Sequence, residues 1–112
     1  DLDNTIINYS NVFSKICKKY NLKIYKQNPK VRLKTYIRKY ISKKKWTEIQ
    51  GEVYGKEILN ANIFQNFKSF LKFAKKNNIE ITIISHKSKY PIIGKKINLH
   101  SKALQFLKKN SL

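Results

Sequence analysis

Two aspartates one residue apart open the chain, in Asp1-Leu2-Asp3-Asn4-Thr5. At the end of a strand such a pair can face one crevice. One carboxylate can then attack a phosphorus atom while the other carries a proton to the leaving oxygen. A magnesium ion beside them would neutralise carboxylate and phosphate together. The same Asp-x-Asp spacing is also common in turns and calcium loops. Ser85, at the end of an apolar run, offers a hydroxyl to a phosphate oxygen, and backbone N–H groups of the following loop can assist. A serine there can equally cap the chain's exit from a strand. Lys87, two residues on, offers a cation to the same phosphate.

These side chains need elements to hold them. The first five residues read as a strand end running into a loop. Val12, Phe13, Ile16, Cys17 and Tyr20 recur at helical spacing and predict a helix over 10–20. Asn28-Pro29 reads as an N-cap with proline in the first turn, and the helix it opens carries Leu33, Tyr36, Ile37, Tyr40 and Ile41 on one face. Lys43-Lys44-Lys45 breaks the pattern and reads as an exposed connection. A third helix is expected over 46–59, with Ile49, Val53 and Ile58 inward. Gly51 and Gly55, four apart within it, would let a backbone or a ligand approach closely, or would serve tight helix packing. Phe64, Phe67, Phe70, Leu71 and Ala74 mark an amphipathic helix ending near Asn77-Asn78. The run 79–85, Ile-Glu-Ile-Thr-Ile-Ile-Ser, predicts a strand buried on both faces. A loop over 86–98 with Pro91 and Gly94 precedes a last helix over 99–109, carrying Ala103, Leu104 and Leu107.

A helix feeding a buried strand, with a loop at the strand's carboxyl end, is half of a parallel α/β unit. The helical block 10–60 reads as an insertion over its edge. Asp1-Leu2-Asp3-Asn4-Thr5, a helical insertion, then Ile83-Ile84-Ser85-His86-Lys87 resembles the haloacid dehalogenase-like hydrolase superfamily. Its first motif is Asp-x-Asp-x-Thr after a hydrophobic strand, and its second is a Ser or Thr ending the neighbouring strand. The resemblance implies an α/β fold, part of a Rossmann-like three-layer sandwich with a small α-helical cap. Residues 1–7 and 61–112 would belong to the hydrolase core and 8–60 to the cap. It further implies a cytoplasmic, magnesium-dependent phosphatase acting on a small phosphorylated substrate through a phospho-aspartate. In that scheme Asp1 is the nucleophile and a metal ligand. Asp3 is the general acid/base, and its backbone carbonyl also reaches the metal. Thr5 supports the first loop and counts, with Ser85 and Lys87, on the phosphate-binding side. A third-motif lysine would be Lys102 or another late lysine. The family's acidic fourth motif has no counterpart, because no Asp or Glu follows Glu80. The expectation is therefore an incomplete copy, cut from a longer protein or decayed, that binds magnesium weakly and turns over slowly.

Composition narrows the other classes. With 112 residues and 41% apolar content the chain suits one small domain with a real core. No hydrophobic run exceeds 81–85, which leaves no candidate for a membrane span or a secretory h-region. Cys17 is the single cysteine, reads as core, and cannot form an internal disulfide. His86 and His100 are not spaced as metal ligands. The net charge of +19 suits a polyanionic partner, and a non-catalytic basic module gripping nucleic acid or another polyanion is the alternative function. An inactive remnant is the third. Yet Arg32 and Arg38 are the only arginines, and Lys, Ile and Asn, all with A/T-rich codons, supply nearly half the chain. Codon drift accounts for that excess without a partner. Trp46, Tyr54 and Tyr40 can line a substrate pocket or simply fill the core, and Glu48, Glu52 and Glu57 suit surface pairing with lysines.

Overall fold

The computed structural model describes residues 1–24 and 28–112. Five α-helices dominate: α1 (Ser10–Lys19), α2 (Pro29–Tyr40), α3 (Lys43–Tyr54), α4 (Gln65–Lys76) and α5 (Leu99–Lys109), with a 3-10 helix at Lys56–Asn60. Two short strands, β1 (Ile7–Asn8) and β2 (Asn62–Ile63), pair antiparallel with Ile7 opposite Ile63. Asp3 and Ile7 form an isolated parallel bridge beside them.

Local chemistry sets the helix starts. The Asn28 side chain accepts from the Lys30 N–H at 2.9 Å, with Pro29 in the first turn. Asn98 accepts from the Ser101 N–H at 3.0 Å and opens α5 at Leu99. Ser42 accepts from the Lys45 N–H at 3.0 Å, so Lys43-Lys44-Lys45 is not a connection but the first turn of α3. The expected third helix thus starts three residues earlier and ends at Tyr54, beyond which the chain tightens into the 3-10 helix. Gly55 is where it turns: a Cβ there would lie 2.8 Å from the Gly51 carbonyl oxygen and 3.2 Å from Leu99. A Cβ on Gly51 would lie 3.0 Å from Pro91 and 3.2 Å from the Ile93 carbonyl oxygen. The two glycines therefore serve close packing of α3 against the 91–99 segment.

The Rossmann-like three-layer sandwich expected from the sequence is not what the chain forms. Among the described residues the sheet is the two-stranded β1–β2 pair alone, and the rest is helix and irregular chain. The decisive segment is 79–85. It carries no strand assignment, and no backbone–backbone hydrogen bond reaches 80–88 among the described residues. Two apolar faces make a strand only when neighbouring strands supply the ladder, and no second β-branched run exists here to supply it. Ile83 packs against the core and Ile81 is half-buried, whereas Ile79 and Ile84 stand 48% and 73% exposed. The amphipathic α4 packs in the same loose way. Ala74 is buried, Phe67 and Leu71 meet Ile81 and Ile83 around a small hollow, and Phe70 and Phe73 are exposed.

The core lies elsewhere. One continuous apolar cluster runs from Leu2, Ile6 and Ile7 through Phe13 and Cys17 of α1 to Leu33 and Ile37 of α2. It continues through Trp46, Ile49 and Val53 of α3 to Ile58, Ala103 and Phe106. Phe13 stacks on Trp46 with ring centres 6.1 Å apart, so Trp46 is a core residue. α1 packs on α2, α2 on α3, and α5 on the 3-10 helix. α4 and the 79–85 segment pack loosely at one side, and the radius of gyration is 15.4 Å, against about 13 Å for a compact chain of this length.

Candidate functional site

The N-terminal loop is wound tightly around one carbonyl. The Leu2 C=O accepts from the N–H groups of Ile6 at 2.9 Å and Ile7 at 3.0 Å, and Asn4 adopts φ 61° to make the turn. Leu2 and Ile6 are buried and pin the loop to the core. Asp3, between these anchors, points toward Tyr9, the buried residue that precedes α1. The Tyr9 hydroxyl donates to Asp3 Oδ1 at 2.5 Å.

The other carboxylate oxygen is taken from far along the chain. Lys87 Nζ donates to Asp3 Oδ2 at 2.6 Å across 84 residues of sequence. The Lys87 side chain is 8% exposed and that of Asp3 24%, so the pair is shielded on the lysine side and open on the carboxylate side. His100 of α5 fixes the lysine's backbone. Its Nε2 lies 2.6 Å from the Lys87 carbonyl oxygen, which can only accept, so the ring nitrogen donates. The ammonium also sits 5.0 Å from the centre of the Tyr54 ring at the end of α3, and that ring meets Tyr9 edge-on at 5.1 Å. Lys30 of α2 donates to the Tyr54 hydroxyl at 3.1 Å. The N-terminal loop, the residue before α1 and the 86–98 connection thus meet at one carboxylate, with Tyr54 of α3 and Lys30 of α2 beside them.

Most of the remaining sequence candidates make no hydrogen bond or ion pair with this cluster among the described residues. Asp1 is exposed, and its Oδ1 accepts from the Leu2 N–H at 2.8 Å. Thr5 is exposed in the turn, with its N–H 3.4 Å from the Leu2 carbonyl oxygen. Ser85 is exposed and makes no hydrogen bond among the described residues. Lys102 is half-buried on α5 and makes no ion pair among the described residues. Tyr40 is exposed, away from any pocket role, while Tyr54 is part of the cluster. Sequence reasoning passed over Tyr9 and Lys30. For Tyr9 a signal existed, an aromatic with a polar tip just before a helix and six residues after Asp3. Lys30 is one lysine among many.

No family model, curated protein or solved structure matches the chain.

The magnesium centre implied by the resemblance can be tested on the donors. Both Asp3 carboxylate oxygens are engaged, one by an ammonium and one by a phenol. No group of three or more His, Cys, Asp or Glu gathers among the described residues. Magnesium takes close to six oxygens in near-ideal octahedral geometry. A lysine ammonium occupies the place where a cation would neutralise Asp3, so the residues present do not fit a resident magnesium ion.

Burial, first, and then the hydrogen bond to Asp3 and its charge push the Tyr9 phenol well above its ordinary value of 10.0. Folding therefore favours the protonated phenol. In the unfolded chain Tyr9 loses its proton from about pH 10 upward while the folded chain keeps it. Its contribution to stability is constant below about pH 10 and falls above it by up to about 1.4 kcal/mol per pH unit. Urea titrations of wild type and Tyr9→Phe between pH 8 and 11 are expected to show the stability gap between them shrinking above about pH 10. A gap independent of pH would show that Tyr9 is not held as the neutral donor.

Proposed function

We propose that the chain carries a phosphoryl-transfer site of the phosphate-ester hydrolase type, with the Asp3–Lys87 pair at its centre. The observation that carries this reading is the meeting of the two loops that the sequence marks for chemistry, with Lys87 Nζ 2.6 Å from Asp3 Oδ2. In this scheme Lys87 neutralises the negative charge of a phosphoryl group brought beside it, charge that a half-dry site would otherwise penalise. Asp1, exposed on the same loop two residues before Asp3, supplies the attacking carboxylate oxygen, displaces the ester oxygen from phosphorus and forms an aspartyl-phosphate. Asp3, held as the carboxylate by Lys87 and Tyr9, acts as the base: it takes a proton from the water that later cleaves the acyl-phosphate, while the departing oxygen is protonated from solvent. Tyr9 holds the Asp3 carboxylate in one orientation through both steps. The resemblance to haloacid dehalogenase-like hydrolases supports the reaction class, and the wound loop that presents Asp3 is compatible with it.

The test is hydrolysis of an aryl phosphate by the chain, followed as release of the phenol. Lys87→Met is expected to raise KM by about tenfold or more, because a charge-assisted contact to the phosphoryl group is lost. Hydrolysis unaffected by this substitution would remove Lys87 from the site and the reading with it.

A further inference from the structure

Tyr54 stands between two ammonium groups. Lys87 lies over the ring, 5.0 Å from its centre, and Lys30 lies 5.9 Å from that centre in a different place. Lys30 is also 3.1 Å from the phenol oxygen, and the two distances together put it beyond the hydroxyl end, along the ring's long axis. Lys87, by contrast, is over the ring and bonded to Asp3, which also accepts from Tyr9, the residue that meets Tyr54 edge-on.

The charges around this ring do not balance. Asp3 answers Lys87, while Lys30, half-buried in the first turn of α2, has no carboxylate within ion-pair distance among the described residues. Two cations and one anion leave the Lys30 charge without a carboxylate, and an anionic group bound beside Lys30 compensates it. The placement is also selective. A phosphoryl group on Lys87 leaves Lys30 free at the hydroxyl end of the ring, where the Tyr54 hydroxyl can donate as soon as an anion draws the ammonium onto itself.

We propose that Lys30 and Tyr54 form a second anion subsite next to the Asp3–Lys87 pair. The ligand then carries a phosphoryl group and, a short carbon linker away, a second anionic group such as a carboxylate. This inference rests on the phosphoryl reading above: Lys87 takes the phosphoryl end and Lys30 the other anion.

Two non-hydrolysable probes with the same head separate the subsites. Ethylphosphonate carries the phosphoryl-like group alone, and 2-carboxyethylphosphonate adds the carboxylate. Titration calorimetry near 0.15 M salt suppresses loose attraction to a strongly basic surface. Wild type is expected to bind the carboxylated probe about tenfold tighter than ethylphosphonate. Lys30→Met is expected to erase that difference by weakening the carboxylated probe far more than ethylphosphonate, and Tyr54→Phe to shrink it several-fold. Lys34→Met, an exposed neighbour on α2, is expected to change neither affinity. Equal affinity of wild type for the two probes overturns the second subsite, as does a Lys30→Met that leaves the difference between the probes intact. Lys87→Met judges the phosphoryl reading separately: it should weaken both probes. Undiminished binding there would sink that reading, whatever Lys30 does, and wild type binding neither probe would sink both.

Discussion

Asp1→Asn is expected to abolish aryl phosphate hydrolysis and leave the melting temperature where it was, whereas Asp3→Asn lowers both. The contrast follows from where the two carboxylates sit. Asp1 is exposed and its single hydrogen bond is to the neighbouring Leu2 N–H, so an amide in its place costs the fold almost nothing. It does remove the nucleophilic oxygen. Asp3 answers an ammonium whose side chain is only 8% exposed. Neutralising it strands that charge, at a cost of about 3 kcal/mol, the low end for a buried pair because the Asp3 side chain stays 24% exposed. For a chain of this length that is a fall in melting temperature of about 10 °C. Asn can still accept from the Tyr9 hydroxyl, which keeps the loss confined to the ion pair. Turnover should drop by about 10²- to 10⁴-fold, the range for a lost general base. The double variant Asp3→Asn/Lys87→Met is expected to regain most of the stability and none of the activity, because removing both charges leaves nothing stranded. Thermal melts followed by circular dichroism, run beside the hydrolysis assay, read both quantities. An unchanged melt for Asp3→Asn would show that the pair is open to water, and full activity in Asp1→Asn would exclude an aspartyl-phosphate on that residue.

Phe13→Ala is expected to destabilise the fold by about 3–5 kcal/mol. Phe13 is 1% exposed, stacks on Trp46, and joins α1 to α3 at the middle of the continuous core. Removing the ring leaves a cavity that the helices on either side cannot close without separating from α2. Small domains have about 5–15 kcal/mol in total, and a chain less compact than its length permits belongs toward the lower figure. The variant should therefore unfold at a urea concentration about 2–3 M lower than wild type. Trp46 is the single tryptophan and lies against the deleted ring, so its fluorescence reports the transition directly. Tyr40→Ala is the control. At 65% exposed, Tyr40 should change stability by no more than about 0.5 kcal/mol. Equal effects from the two substitutions would mean that the stacked α1–α3 contact is not the centre of the core.

The local elements were legible in the residues, and the long-range ones were not. Asn28-Pro29 and Asn98 announce helices that begin where their side chains accept the first free N–H groups. The last helix spans the residues its periodicity indicates, and Cys17 and Leu33 fall on buried faces as their spacing requires. Each of these features closes within about four residues, so neighbouring side chains suffice to determine it. The lysine triplet at 43–45 reads as a connection by its charge, yet the Ser42 side chain before it caps the helix. β1 and β2, two residues each, are too short to carry an alternation.

Two matters were decided by tertiary structure alone. The run 79–85 has every local mark of a buried strand, yet a strand is completed by its partners, and among the described residues the path of the chain brings none. The expected sandwich fails at that point, and α4 keeps two phenylalanines exposed as a consequence. The site behaves in the opposite way. The aspartates and Lys87 were visible as candidates, but no pattern of spacing can say which of many lysines crosses 84 residues to meet which carboxylate. Nor can it say that Tyr9, Tyr54 and Lys30 will gather around them. Helical hydrogen bonds are settled by near neighbours, while ion pairs and strand ladders depend on where the whole chain goes. By itself the sequence therefore determined the helices and the list of reactive side chains, and the fold chose which of those side chains share a site.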